Sequence, residues 1–226
     1  VTLDLDEGDD DDPATNELTD NEFSDVSEAV QLTVSDGGNL DTDDAVNVED
    51  NTVYSFDGTD AFDLTALPAD VLTFSGNDFD GGGSGTNAIA ISGASENVTI
   101  TDGTVNDVTG DGVNVGATGG DGVTISGTTF TNISANSINL ATVAGGSSEV
   151  VIDDITVDDG SGSGVGVLAN DADADVTISG SSSINDTSVG VQATDANSLV
   201  VSSTDITNTN SDGININNPT LGNGIV

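Results

Sequence analysis

Short alternations of apolar and polar residues, each following a small or polar corner, recur along the chain at a nearly fixed interval. They are "NAIAI" (87–91), "DGVNV" (111–115), "NSINL" (136–140), "SGVGV" (163–167), "TSVGV" (187–191) and "DGINI" (212–216). Their last residues, Ile91, Val115, Leu140, Val167, Val191 and Ile216, are spaced by 24, 25, 27, 24 and 25. A second series lies between them: "NVTIT" (97–101), "GVTIS" (122–126), "EVVID" (149–153), "DVTIS" (175–179), "LVVSS" (199–203) and "GIV" (224–226). A third holds Val105, Phe130, Ile155, Ile184 and Ile206. Alternation with period two puts every second side chain on one face, so each period predicts three short strands. The segments are rich in β-branched residues, and no 3.6-residue apolar stripe persists, so no helix is expected.

Self-similarity at about 25 residues is the mark of a solenoid. Three short strands per period, stacked rung on rung about 4.8 Å apart, predict an all-β parallel β-helix. Like residues then form interior columns: the six chain positions ending the first series, and Ile100, Val123 to Ile125, Ile152 and Ile178 in the second. The corners form columns too. Asn87, Asp111, Asn136, Ser163, Thr187 and Asp212 each lie four residues before a first-series end, and Asp107, Asn132, Asp186 and Asn208 follow the third strand. Stacked amides can hydrogen-bond up such a ladder, whereas adjacent like charges repel. Interleaving Asp with Asn, Ser or Thr fits both conditions. No Thr-x-Thr column is expected to repeat regularly on one face, which sets aside an ice-binding solenoid.

Before residue 87 the pattern is less regular. "VQLTV" (30–34), "AVNV" (45–48), "TVYSF" (52–56) and "VLTF" (71–74) read as strands, and Phe62 precedes Ile89 by 27 residues. Phe23, Tyr54, Phe56, Phe62, Phe74 and Phe79 cluster here, as they would in a cap over an open apolar end. "DGGGSG" (80–85) reads as a loop or hinge. The expected organisation is therefore an acidic extension over 1–44, a cap or irregular first coils over 45–86, and a β-helix over 87–226.

Charge changes the picture more than any motif does. The 226 residues include 41 Asp and Glu and no Lys, Arg or His, for a formal charge of −41. No side-chain ion pair can form, and phosphate contacts of the kind nucleic-acid binding requires have no donor charge. Anionic membrane surfaces would repel the chain, and no apolar run is long enough to insert. Screening by salt or bound cations is needed, and Ca²⁺ suits carboxylate-rich surfaces. The alternate aspartates Asp171, Asp173 and Asp175, the pair Asp153 and Asp154, and the pair Asp78 and Asp80 are the candidate calcium ligands. The absence of Cys removes disulfide and thiol chemistry. The lack of Lys and Arg also removes every trypsin-type cleavage site, which points to an extracellular or cell-surface setting.

The pattern from Phe130 to Leu140, "FTNISANSINL", with the recurring "DGV" and "DGI" corners, resembles right-handed parallel β-helix repeat proteins of the pectate-lyase-like superfamily. The resemblance covers roughly residues 87–226. It implies the fold and, by itself, little about function, since that superfamily includes lyases, hydrolases, tailspikes, autotransporter passengers and adhesins. "NTNSDGINI" (208–216) is similar to the Asn-Thr-Asp-Gly signature of polygalacturonases, with Asp205, Asp212 and Asp186 as the available carboxylates. Inverting glycosidases place an acid and a base about 6.5–9.5 Å apart. The polygalacturonase pattern also needs a paired Asp-Asp, a Gly-His-Gly and an Arg-x-Lys segment. Here the basic residues are missing, and the motif carries two extra residues. Pectate lyases add a basic proton acceptor to Ca²⁺, and that too is missing. The expectation is no enzyme.

The function expected is an extracellular structural one: a β-helix subunit of a self-assembling fibre, sheath, S-layer or biofilm matrix. The partner would be a second copy, head to tail, with other surface or matrix components beside it. A β-helical adhesin or passenger segment binding glycans or surfaces is the alternative. Assembly is expected at the two ends, through Val1, Leu3 and Leu5 as a donated strand and through Ile225 and Val226 at an open coil.

Overall fold

The computed structural model describes residues 2–4, 15–33, 45–65, 71–92, 97–116, 122–141, 149–160, 162–170 and 174–217. Among these residues there are strands and corners and no helix. The strands form three sheets, and every pairing is parallel. Sheet A stacks Thr2–Asp4, Val30–Thr33, Asp60–Thr65, Asn87–Ile91, Val113–Val115, Asn136–Leu140, Val165–Asn170, Val189–Asp195 and Ile214–Ile216. Sheet B stacks Thr15–Thr19, Ala45–Glu49, Val71–Ser75, Asn97–Thr101, Gly122–Ser126, Glu149–Asp153, Asp175–Ser179 and Ser198–Val201. Sheet C stacks Glu22–Ser24, Thr52–Tyr54, Asp78–Asp80, Thr104–Val108, Thr129–Ile133, Thr156–Asp158, Ser183–Asn185 and Asp205–Thr207. The chain visits A, B and C in turn, which is the three-strand parallel β-helix that the alternation predicts.

The core is columnar. In sheet B, Val48, Phe74, Ile100, Ile125, Ile152 and Ile178 stack in register, all but fully buried. In sheet C, Val53, Phe79, Val105, Phe130, Val157 and Ile184 do the same. Burying a side chain of this size stabilises by about 1.5–3 kcal/mol, and each interior position repeats that gain rung after rung. Ile155, expected in the sheet C column, instead sits one slot earlier, and Val157 takes its place.

The described strands between residues 15 and 80 stack in all three sheets beneath those that follow residue 87, so they belong to the same solenoid. The aromatic residues expected to close an end lie mostly inside. Phe62 of sheet A meets Phe79 of sheet C edge-on at 5.2 Å, Phe74 of sheet B at 6.1 Å and Phe23 of sheet C at 6.4 Å. Only Tyr54 faces solvent. The expected hinge at 80–85 is a corner tied in place, with Gly82 N–H on Asp80 Oδ1 and Gly83 N–H on the Asp107 carbonyl. Thr2–Asp4 pairs within its own chain, Leu3 beside Leu32, as the first strand of sheet A.

Two registers differ from the expected columns, at Leu140 to Val167 and at Val191 to Ile216. Leu140 pairs with Ala169, and Val167 pairs with Ile138 and Val191. The true columns of sheet A are therefore Ile89, Val113, Ile138, Val167, Val191 and Ile214, and beside it Ile91, Val115, Leu140, Ala169, Ala193 and Ile216. The marker of this register is a small residue just before the first inward one: Ala88, Gly112, Ser137, Gly166, Gly190 and Gly213. The slot is narrow because the corner backbone passes close to sheet C. A Cβ on Gly112 would come within 2.6 Å of the Ser137 carbonyl and 2.8 Å of the Phe130 ring.

Candidate functional site

The polar corners are where this chain concentrates its chemistry, and three sets of them stack. The first precedes sheet A. Asn87 Nδ2 donates to Asp60 Oδ1 at 2.6 Å, and Asn87 Oδ1 accepts from the Asp111 N–H at 2.8 Å. Asp111 Oδ1 in turn accepts from the N–H of Asn136 at 3.0 Å and its Nδ2 at 2.7 Å, while Oδ2 accepts from Asn139 Nδ2 at 2.8 Å. Acid and amide alternate rung by rung, so each carboxylate faces donors and no carboxylate faces another. Burial pushes the Asp60 carboxyl up from its ordinary value, the bond from Asn87 pulls it down, and Asp63 nearby pushes it up.

Of the expected ladder, Asn87, Asp111 and Asn136 stand together. Ser163, Thr187 and Asp212 do not continue it, because Val165 and Val189 occupy the slot above Asn136. Ser163 donates its N–H to Asp159 Oδ2 at 3.0 Å. Thr187 is fully buried and its hydroxyl lacks a partner. Asp212 is exposed and accepts from Asn215 at 2.9 Å.

The second set links sheets B and C. Asn21, Asn51 and Asn77 stack one position before successive strands of sheet C. Asn21 N–H and Nδ2 both donate to Asn51 Oδ1 at 3.0 Å. Asn51 makes the same pair of bonds to Asn77 Oδ1, and Asn77 Nδ2 reaches the Val48 and Ser75 carbonyls at 2.7 and 3.2 Å. Asn51 and Asn77 are 0% and 3% exposed, so this ladder belongs to the core. Sequence reading missed it. Its signal is Asn after Asp or Gly and two before an aromatic or Val: "DNEF", "DNTV" and "GNDF".

The third set is conformational. Asp20, Asp50, Gly76, Asp102, Gly127, Asp154, Gly180 and Ser203 all have φ between 51° and 73°. All but one directly follow their sheet B strand, and Ser203 lies two residues past Val201. The left-handed region favours Gly, Asn and Asp. Asp107, Asn132, Asp186 and Asn208, predicted as a turn column after sheet C, share that conformation at 51–57°.

The described candidate calcium ligands are spread over strand ends, with Asp154 in a corner. Asp153 Oδ1 accepts from Ser179 Oγ at 2.7 Å, and Asp154 Oδ1 from the Ser181 N–H at 2.7 Å. Asp78 Oδ1 accepts from Thr104 Oγ1 at 2.6 Å, and Asp80 Oδ1 from Gly82. Asp175 Oδ1 accepts from Asn197 Nδ2 and Ser198 Oγ at 2.7 and 2.5 Å. Asp171 and Asp173 lie outside the described residues. Among the described residues, no three acidic groups come together in a way that could hold a metal ion. Of the carboxylates of the hydrolase-like motif, Asp205 opens a sheet C strand, Asp186 is a left-handed corner, and Asp212 precedes sheet A. Val1, Leu5, Ile225 and Val226, expected at assembly ends, also lie outside the described residues.

One acidic group stands apart. Glu28 Oε1 is buried without a hydrogen-bond partner, and burial pushes its carboxyl up, with Asp63 and Asp60 adding to the rise.

Comparison with known proteins gives the fold and no closer relative. Residues 37–180 match the family described as right handed beta helix region. No curated protein and no solved structure matches the chain.

Proposed function

We propose that this chain, which belongs to the right-handed β-helix family, is a non-catalytic extracellular structural protein: a β-helix subunit of a self-assembling surface fibre, sheath, S-layer or matrix. The observation that carries this reading is how the polar side chains are used. Asp111, Asp153, Asp154, Asp78 and Asp175, which a carbohydrate-active site would turn toward substrate, instead accept hydrogen bonds from the next rung or corner. A side chain held this way contributes to stiffness along the axis and is a poor proton shuttle. The composition supports the same reading, since a chain without Lys, Arg or His has no cation to bind a uronate or serve as a base. Calcium enters this proposal as a loosely held counter-ion to the −41 charge, with a structural role at the surface.

Negative-stain microscopy of native material, with size-exclusion chromatography in millimolar Ca²⁺, tests the proposal. Filaments or sheets are expected. A monodisperse monomer under all conditions, or release of reducing sugar or unsaturated uronide from polysaccharide, would overturn it.

A further inference from the structure

The chain carries three Asn-x-Ser/Thr triplets: Asn97-Val98-Thr99, Asn132-Ile133-Ser134 and Asn185-Asp186-Thr187. This triplet is the acceptor for N-linked glycan transfer in secreted proteins. In a chain rich in Asn, Ser and Thr such triplets also arise by chance, so the folded surroundings of each Asn decide between them.

Asn185 is committed to the fold. Its Nδ2 donates to Asp186 Oδ2 at 3.1 Å and to Asp158 Oδ1 at 3.4 Å, and its Oδ1 accepts from Thr207 Oγ1 and Asn208 Nδ2, both at 2.9 Å. Thr187 of the same triplet is fully buried. Asn132 is exposed, but its Nδ2 faces Asn106 Oδ1 at 3.5 Å. The Gly160 backbone lies against its Oδ1, so close that a Cβ there would come within 2.8 Å.

Asn97 differs on both counts. It opens the sheet B strand Asn97–Thr101 and is exposed on the outward face, since Val98 and Ile100 are buried. Among the described residues, no hydrogen bond engages its side-chain amide. The rung above sets Gly122 beside it, with no side chain to obstruct a substituent, and Glu149 lies one rung further. The rung below sets Val71 beside it, 39% exposed, with Ala45 beneath. A sugar ring has a face of C–H groups, and covering Val71 with it removes apolar surface from water.

We propose that Asn97 carries an N-linked glycan. Transfer joins Nδ2 to the anomeric carbon of a saccharide carried on a polyisoprenyl phosphate. The bond from that carbon to the phosphate oxygen breaks, the lipid phosphate leaves with the electron pair, and one Nδ2 proton passes to a base of the transferase. The inference rests on the extracellular part of the proposed function, since the acceptor meets this donor on the way out of the cell. A glycan on sheet B stands on the flank of the solenoid and leaves the ends of the stack clear, which suits head-to-tail assembly.

Mass spectrometry of the native protein tests this. With no Lys or Arg, the chain is cut after glutamate, and cleavage at Glu149 separates Asn97 and Asn132 from Asn185. Electron-transfer fragmentation, which leaves a sugar on its side chain, separates the first two. Asn97 is expected to carry a saccharide mass, with Asn132 and Asn185 unmodified. In the same cells Thr99→Val, which keeps the branched shape, should lose the saccharide, and Thr99→Ser should keep it. An unmodified Asn97 overturns the proposal, as does a saccharide found at Asn132 or Asn185 in its place, or one that persists in Thr99→Val. Filaments built from unmodified chains would refute this proposal alone, whereas a glycosylated chain that stays monomeric would refute the fibre reading alone.

Discussion

Asn51 donates twice to a single atom of Asn77: its backbone N–H at 3.1 Å and its side-chain amide at 3.0 Å both reach Asn77 Oδ1. Asn77 passes its own amide on to the carbonyls of Val48 and Ser75, so one side chain closes four polar groups of its neighbours. Asn77→Ala should therefore destabilise by about 2–4 kcal/mol, because each buried group left unpaired costs about 1–3 kcal/mol. Asn77→Asp keeps the acceptor but cannot donate to Val48 and Ser75, and it buries a charge. It should lose a comparable amount at neutral pH. Urea unfolding of both variants beside the parent checks this, and an unchanged midpoint for Asn77→Ala would show that the ladder is ornamental.

The ladder before sheet A makes an opposite demand. Asn87 separates Asp60 from Asp111 while bonding to both. Asn87→Asp would remove a donor and set three carboxylates in successive rungs, about 4.8 Å apart. A loss of about 1–2 kcal/mol is expected at neutral pH from repulsion and the missing bond. The loss should shrink at pH 4, since burial pushes the Asp60 carboxyl up and it takes up a proton more readily, and thermal melts at the two pH values would reveal the difference.

These two ladders also show which parts of the molecule its sequence disclosed. Strands were legible because "NVTIT", "GVTIS" and "DVTIS" each alternate with period two and repeat at a fixed interval. The register from Leu140 to Ala169 was not legible. "SGVGV" contains two small–apolar pairs, and a slip of two residues leaves every side chain on its original face, so alternation cannot detect it. Packing decides instead: Gly166 fills the narrow slot, where a Cβ would come within 2.6 Å of both the Gly190 carbonyl and Ile184 Cγ2. The Asn21–Asn51–Asn77 ladder was hidden because the acidic composition around it suggested an extension and cap, although charges such as Glu17, Glu49 and Asp78 sit at outward strand positions and the strands alternate as usual.

The left-handed corners predict an asymmetry between two neighbouring positions. Gly127 has φ 61°, and a Cβ there would collide with Asp102 Oδ1 of the rung below. Gly127→Ala should cost about 1–2 kcal/mol for the backbone conformation alone, and more for displacing the carboxylate. Asp102 has φ 55° and is exposed, so Asp102→Gly should change stability by less than about 1 kcal/mol, since glycine adopts that conformation freely. A melting series on both variants tests the pair, and equal losses would contradict the stacking of corner on corner.

The acidic charge makes the last prediction, and its sign is unusual for a folded protein. In the native chain Glu28 and Asp60 hold their protons to higher pH than their ordinary values of 4.5 and 3.8, burial being the first cause for each. The folded state thus binds more protons than the unfolded one between those ordinary values and the raised ones. Stability should rise as pH falls through the raised values, and the gain should be complete below the ordinary ones. Glu28→Gln removes the buried unpartnered Oε1 charge and should raise the melting temperature at pH 7 while flattening its rise toward pH 4. With 41 acidic residues and no Lys, Arg or His, added salt should act in the same direction by screening repulsion that no ion pair offsets. Melts from low to molar NaCl at pH 7, repeated at pH 4, separate the two contributions. A melting temperature that falls with salt, or that falls on mild acidification, would mean that the carboxylates stabilise this fold through partners other than the hydrogen bonds described.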